Sequence, residues 1–295
     1  MPVEELLDYF TERDSRRDNF ISHLHLGDDG AHGRFRDLQL SSVFQPLFAA
    51  ANLAPRAHVA LLGVHDATGA PLSPAAAFAV PTTSDEVVYF DRLCRIVHAL
   101  NFVRQAESGA DLFVNVSGRH LLGVSHGGHG EIFERLLHMC GLKPGQIILE
   151  VLEARVDDIA RLNDAVAAYR ERGYRVAIDD FGCEHSNFDR LWRLTPDIVK
   201  LDRSLILQGS TNARARRMLP KLIEIIHDLG AQVVCEGIET PGQHHLAIDA
   251  GADLLQGYYY ARPSPQLFAT SAPAAGWQEQ AHTALRRANN EWQPA

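Results

Sequence analysis

Short apolar runs rich in β-branched residues recur along the chain: VFQPLF (43–48), HVALLGV (58–64), DLFVNV (111–116), QIILEV (146–151), RVAIDDF (175–181), DIVKLD (197–202), QVVCEG (232–237) and DLLQG (253–257). From the third run onward, most gaps carry apolar positions at helical spacing. The segment 157–172 is one and ends at Gly173; 213–229 is another and ends at Gly230. Pro220 inside the second marks a kink or the true helix start. Strands alternating with helices predict a parallel sheet of the α/β class, and about eight of them predict an irregular (β/α)8 TIM-type barrel. An open doubly wound sheet is the alternative, weakened by the lack of a glycine-rich phosphate loop after the first strand. Only a short gap holding Pro55 separates the first two runs. A parallel crossover needs a dozen or more residues, so one antiparallel strand is expected there. Residues 1–40 read as an N-terminal helical extension broken by a Gly/Asp-rich stretch at 27–33. The barrel is expected over 41–270, and a C-terminal helical tail over 271–295.

Composition narrows the class. The 295 residues are 46% hydrophobic and 22% charged, which suits a folded globular chain. No apolar run approaches the roughly 20 residues of a bilayer span, and the first residues lack the apolar core of a secretory signal. A net charge of -9 disfavours a nonspecific nucleic-acid binder. Cys94, Cys140, Cys183 and Cys235 form no CxxC, so reduced thiols and a cytoplasmic location are expected. Two histidines in HGGHG (126–130) read as a surface loop.

The chemistry collects at strand ends. A barrel's active site lies at the C-terminal ends of its strands, and those ends carry Asn115, Glu150, Asp179, Asp180, Lys200, Asp202, Glu236 and Gln256. The carboxylates of Glu150, Asp179, Asp180 and Glu236 and the amide oxygen of Asn115 suit Mg2+ or Mn2+. Adjacent aspartates can serve two metals, and Lys200 can hold a water or a phosphate oxygen. Metal-assisted phosphodiester hydrolysis is the reaction class this set suggests. The plainer reading makes Asp179–Asp180 a helix cap and Lys200–Asp202 a structural ion pair.

Over 44–263 the sequence resembles the EAL family of bacterial cyclic di-GMP phosphodiesterases. FQPL (44–47), VNVS (114–117), LEVLE (149–153), IDDFG (178–182), DIVKLD (197–202), CEGIET (235–240) and LLQGYYYARP (254–263) follow in family order and spacing. IDDFG and EGIE are the sharpest of these. The resemblance implies a barrel with one antiparallel strand, in agreement with the short first gap. It implies Asn115, Glu150 and Asp179 as ligands of a first metal, and Asp180 and Asp202 as ligands of a second. Glu236 would be a further ligand or the general base, and Lys200 would orient the attacking water. Glu153 and Glu239 would stabilise the loop over the site. Gln45, Leu61, Asp91, Gln256 and Arg262 would contact the dinucleotide.

The same resemblance exposes departures. The signature Glu-Ala-Leu should fall at 59–61, where this chain has Val59, Ala60 and Leu61. An Arg should stand where Gly63 does, and the loop from Gly182 to Phe188 differs from the family stretch that couples metal binding to dimerisation. His58 should point away from the rim if Val59 points in, because strand residues alternate faces. His185 is a second substitute ligand without support. The expectation is a divergent EAL-type domain that binds cyclic di-GMP with weak or no hydrolysis, as a receptor or regulatory module. Mg2+ or Mn2+ would be needed if it is active, and no bound metal is the alternative. The other readings are an active phosphodiesterase giving the linear dinucleotide, and a protein-interaction module that has lost the nucleotide. Cyclic di-GMP is the expected partner, with a protein partner or a homodimer as further candidates, and neither DNA nor membrane insertion is expected.

Overall fold

The computed structural model describes residues 22–106, 109–123, 130–152, 158–183 and 188–268. Its strands are β1 (Ser22–Gly27), β2 (Gly30–Phe35), β3 (Leu38–Ala49), β4 (Pro55–His65), β5 (Pro71–Leu72), β6 (Asp111–Val116), β7 (Ile147–Leu152), β8 (Arg175–Phe181), β9 (Ile198–Leu201), β10 (Gln232–Cys235) and β11 (Leu254–Leu255). Its helices are α1 (Pro74–Ala79), α2 (Ser84–Val103), α3 (Gly118–Gly123), α4 (Glu131–Met139), α5 (Ile159–Glu171), α6 (Phe188–Leu194), α7 (Arg203–Thr211), α8 (Ala213–Asp228) and α9 (Pro241–Asp249).

The sheet runs β1-β2-β3-β11-β10-β9-β8-β7-β6-β4-β5, and a β3–β4 pairing closes it into a barrel of eight strands. Strand β3 is antiparallel to both of its barrel neighbours, β4 and β11, while the remaining barrel pairs are parallel. This is the irregular TIM-type barrel expected from the short first gap. The turn between β3 and β4 places Leu53 in the left-handed region (φ 56°). No helix among the described residues is long and apolar enough to cross a membrane.

Two apolar layers hold the barrel. Leu47, Ala57, Val59, Phe113, Ile148, Ala177, Ile198, Val234 and Leu254 form a plug in the lumen to which every barrel strand contributes. Outside, helices cover the alternate strand residues in a second, larger cluster. Helix α2 illustrates the logic. Thr83 and Glu86 form a reciprocal capping box at its start. Phe90, Leu93, Ile96 and Val97 are buried, and Phe35 of β2 packs edge-on against Phe90.

Residues 22–40 correct the sequence reading. They form β1, β2 and the start of β3, not part of a helical extension. Leu24, Ala31, Phe35, Leu38 and Leu40 are buried, which is a two-residue rhythm, and β2 buries that face against α2. The Gly/Asp-rich stretch read as a helix break supplies the hairpin turn at Asp28–Asp29, with Gly30 at φ 143°. Asn101 on α2 ties the hairpin down through both the amide and the carbonyl of Ala31. Helix α8 carries Pro220 in its interior. The expectations for 1–21, for the HGGHG histidines and for the 271–295 tail lie outside the described residues.

Candidate functional site

One step beyond the plug, each barrel strand presents its next lumen-facing residue to the mouth. Moving two residues past Phe113, Ile148, Ala177, Ile198, Val234 and Leu254 gives Asn115, Glu150, Asp179, Lys200, Glu236 and Gln256. On antiparallel β3 the equivalent step runs backward, from Leu47 to Gln45. On β4 the step from Ala57 gives Val59, which is itself part of the plug. The ring above the plug is therefore polar on every strand except β4.

Lys200 organises this ring. Its Nζ lies 2.6 Å from Glu150 Oε1, 2.9 Å from Asp179 Oδ1 and 2.7 Å from Glu236 Oε1. Three carboxylate oxygens thus match the three ammonium protons. Burial disfavours the Lys200 charge, but Glu150, Glu236 and Asp179 outweigh it and hold its pKa well above the ordinary value. Burial pushes the Glu150 and Glu236 carboxyls up, and Lys200 draws both back down. Asn115 Nδ2 donates to Glu150 Oε2 at 3.0 Å, so Glu150, fully buried, is held on both oxygens.

Adjacent strand residues normally face opposite sides, yet Asp179 and Asp180 share this site. The β8–β9 register shifts between Ile178 and Phe181, and Asp180 adopts a left-handed backbone (φ 56°). The irregularity turns the second carboxylate inward. Oxygens of Asp179, Asp180 and Glu236 then lie within 4.8 Å of one another, the one such acid or imidazole group among the described residues. Three hard oxygen donors at that spacing fit a divalent cation of the Mg2+, Mn2+ or Ca2+ kind. Gly182 follows at φ 99°, and a Cβ there would meet Leu205 Cδ1 at 2.3 Å.

Asp202 lies outside that group. Its Oδ1 accepts from the Ser204 amide at 2.9 Å as the N-cap of α7. Asp202 is thus a helix cap, and the ion pairs of Lys200 are with the acids of the ring rather than with Asp202.

The expected dinucleotide contacts divide. Gln45 and Gln256 are buried and joined by a 2.8 Å hydrogen bond, and Gln45 also donates to the Ala261 carbonyl. Gln256 Oε1 has no partner, an orphan acceptor at the rim. Leu61 and Asn115 line a cavity of about 570 Å3 bounded by α1, α2 and the ends of β4 and β6. Arg262 is exposed and its guanidinium stacks 4.4 Å from the Tyr258 ring centre. Asp91 is buried in the cavity wall with both oxygens engaged. Its Oδ1 accepts from the Ser117 amide at 2.9 Å, and its Oδ2 lies 2.5 Å from Arg95 and 3.4 Å from His120 Nδ1. Burial raises the Asp91 pKa, against the pull of Arg95 and the Ser117 amide. Glu239 pairs with Arg203 at 2.7 Å on the surface. Glu153 and His185 lie outside the described residues.

Sequence reasoning overlooked Arg95. It is buried, stacks 4.2 Å from the Phe133 ring centre and lines the same cavity. The signal was present in the four-residue spacing from Asp91 along one helix. His58 points away from the mouth, as alternation requires. It is buried against Phe102, its Nε2 accepts from the Phe268 amide, and burial lowers its pKa to about 4.

The EAL domain family model matches residues 32–263. The phosphodiesterase NbdA of Pseudomonas aeruginosa, named for cyclic di-GMP, is 28% identical over 239 residues, 78% of this chain and 30% of its own length. A Bacillus subtilis EAL-domain protein, YkuI, is 31% identical over 57% of this chain and 42% of its own. The YkuI structure with cyclic di-GMP and calcium superposes with a TM-score of 0.69 at 24% identity, covering 86% of this chain and 63% of that one. A standalone EAL protein from Vibrio cholerae, bound to cyclic di-GMP, gives a TM-score of 0.68 at 23% identity, covering 79% and 96%. This chain spans less than half the length of these curated relatives.

Proposed function

The chain belongs to the EAL domain family, and from that premise we propose that it binds cyclic di-GMP at the barrel mouth with weak or no hydrolysis, as a receptor or regulatory module. One observation carries the reading: the polar ring above the plug is interrupted at Val59 alone, where the family's signature Glu would stand.

The physical consequence is a shortage of negative charge on one side of the site. Glu150 and Asn115 are bonded to each other, and the charge beside Glu150 is the Lys200 ammonium. Without a carboxylate from β4, that side has little to hold a dication. The Asp179, Asp180 and Glu236 group keeps the donors for one. A cation bound there, Mg2+ or Mn2+ in an active form, would supply positive charge against a phosphodiester oxygen. Losing even an indirect partner of a metal costs about 10–100-fold in affinity or activity, and losing a direct carboxylate ligand costs more.

Ground-state binding needs less. The orphan acceptor of Gln256, with Leu61 and Asn115 on the adjoining cavity, remains available for the dinucleotide. Contacts that bind substrate and transition state equally lower Kd without raising the rate. Because the ring is acidic and the dinucleotide anionic, a divalent cation should tighten binding.

The test is calorimetry with cyclic di-GMP in Ca2+ and in EDTA, beside a hydrolysis assay in Mg2+ or Mn2+. Binding with slow turnover in the wild type, and faster turnover in Val59→Glu, is the expected result. No binding at high micromolar ligand overturns the reading. The retained Asp179–Asp180–Glu236 group favours a second reading, an active phosphodiesterase giving the linear dinucleotide. Wild-type turnover equal to that of Val59→Glu would establish it.

A further inference from the structure

The β1–β2 hairpin begins ahead of the residues that match the family model, and it presents a chemistry the barrel mouth does not use. His25 and His32 are directly opposite one another across the antiparallel pair. His23 precedes His25 by two residues, so it stands on the same face, opposite Arg34. The other face, carrying Leu24, Ala31 and Phe35, is the one turned to the core. The imidazole face borders a shallow cavity of about 510 Å3 lined by His23, His25, His32, Arg34 and Gln39. Arg34, which shares that cavity, donates its Nε to the Arg36 carbonyl at 3.1 Å.

The turn adds a carboxylate. Asp29 Oδ2 lies 3.1 Å from His32 Nε2. Gly27 opens room for the rest: a Cβ there would fall 2.7 Å from Asp29 Oδ1 and 3.7 Å from His25 Nε2. The His25 ring and the Asp29 carboxylate therefore converge on one spot above a glycine. A proton on His32 Nε2, held by Asp29, leaves Nδ1 as a lone-pair donor, the carboxylate–imidazole arrangement that orients metal-binding histidines.

We propose that this hairpin binds a borderline divalent transition metal, Zn2+ above all, through His25 and His32 with His23 as third imidazole and Asp29 orienting His32. Cross-strand neighbours have Cβ atoms about 5 Å apart and diagonal ones about 7–8 Å, distances that imidazoles from one face can bridge. The donor atoms are not yet within one coordination sphere; exposed side chains reach it by rotamer changes, which take picoseconds to nanoseconds. Imidazole selects Zn2+, Ni2+ or Cu2+, whereas the all-carboxylate group at the barrel mouth selects Mg2+, Mn2+ or Ca2+. The two sites therefore take different cations.

The full chain is titrated with Zn2+ in excess Mg2+, which fills the carboxylate group. Wild type should show one site, weakened at least tenfold by His25→Ala and by His32→Ala and less by Asp29→Asn. His227→Ala, which removes a surface imidazole paired with Asp253, should leave it unchanged. Equal affinity in the His25 and His32 variants, or loss in His227→Ala, overturns the proposal. Histidine ring NMR of the wild type needs no variant: Zn2+ should shift His25 and His32 first, and a response confined to other histidines also overturns it. Cyclic di-GMP binding plays no part in either readout, so this site stands or falls independently of the proposed function.

Discussion

Single side chains decide the chemistry of this barrel. Val59 occupies a lumen position whose counterparts on the other strands are polar. Val59→Glu should raise hydrolysis of cyclic di-GMP at least tenfold in Mn2+, read as linear dinucleotide, and should lower apo stability, because it puts a further acid beside an already acidic ring. Unchanged turnover would move the blame to the loop after Gly182. Arg95 is the second case. Its partner Asp91 is as buried as it is, at 1% exposure each. Arg95→Leu removes the cation and leaves the acid, which should cost about 3–5 kcal/mol in urea unfolding. The Asp91→Asn/Arg95→Leu double variant should recover part of that, because no uncompensated charge remains. Full additivity of the two changes would contradict the buried pair.

At the level of elements, caps and irregularities place the acids. Helix α7 starts at Asp202, whose side chain caps it. Asp202→Ala should cost about 1 kcal/mol, and Asp202→Ser a few tenths, because serine also caps. Mn2+ affinity should stay within threefold in both, while Asp180→Ala should lose tenfold or more; titration calorimetry separates them. The end of β8 is the second device. Alternation alone sends Asp179 and Asp180 to opposite faces, and only the shifted register with a left-handed Asp180 gathers them. Gly182→Ala would force Leu205 aside at a left-handed position, so it should destabilise by about 1–3 kcal/mol and loosen Mn2+ binding as well.

For the whole molecule, buried histidines set the acid limit. Burial holds His58 and His98 at about 4, against 6.5 when unfolded. Between those values the unfolded chain binds more protons than the folded one. The stability these two histidines contribute is therefore fully present above pH 6.5 and is lost as pH falls toward 4, at about 1.4 kcal/mol per pH unit for each histidine. His98→Gln should flatten that slope by one proton, measured by urea unfolding across the range; an unchanged slope would mean that His98 is not held neutral. The run-and-gap rhythm favoured the barrel over an open sheet, and the short first gap pointed to its antiparallel strand, because burial inside a closed sheet imposes a two-residue period that survives in the sequence. The same local signal misled at 22–40, where a glycine-rich turn reads alike as a helix break or a hairpin until α2 supplies the face that β2 covers. Composition and spacing also fixed which acids stand at the strand ends. Only the folded arrangement decided how they are used: that Lys200 spends its protons on three carboxylates, that Asp202 caps a helix and that Asp91 is sealed under Arg95. Those outcomes depend on distances between strands and helices far apart along the chain, and no local pattern encodes such distances.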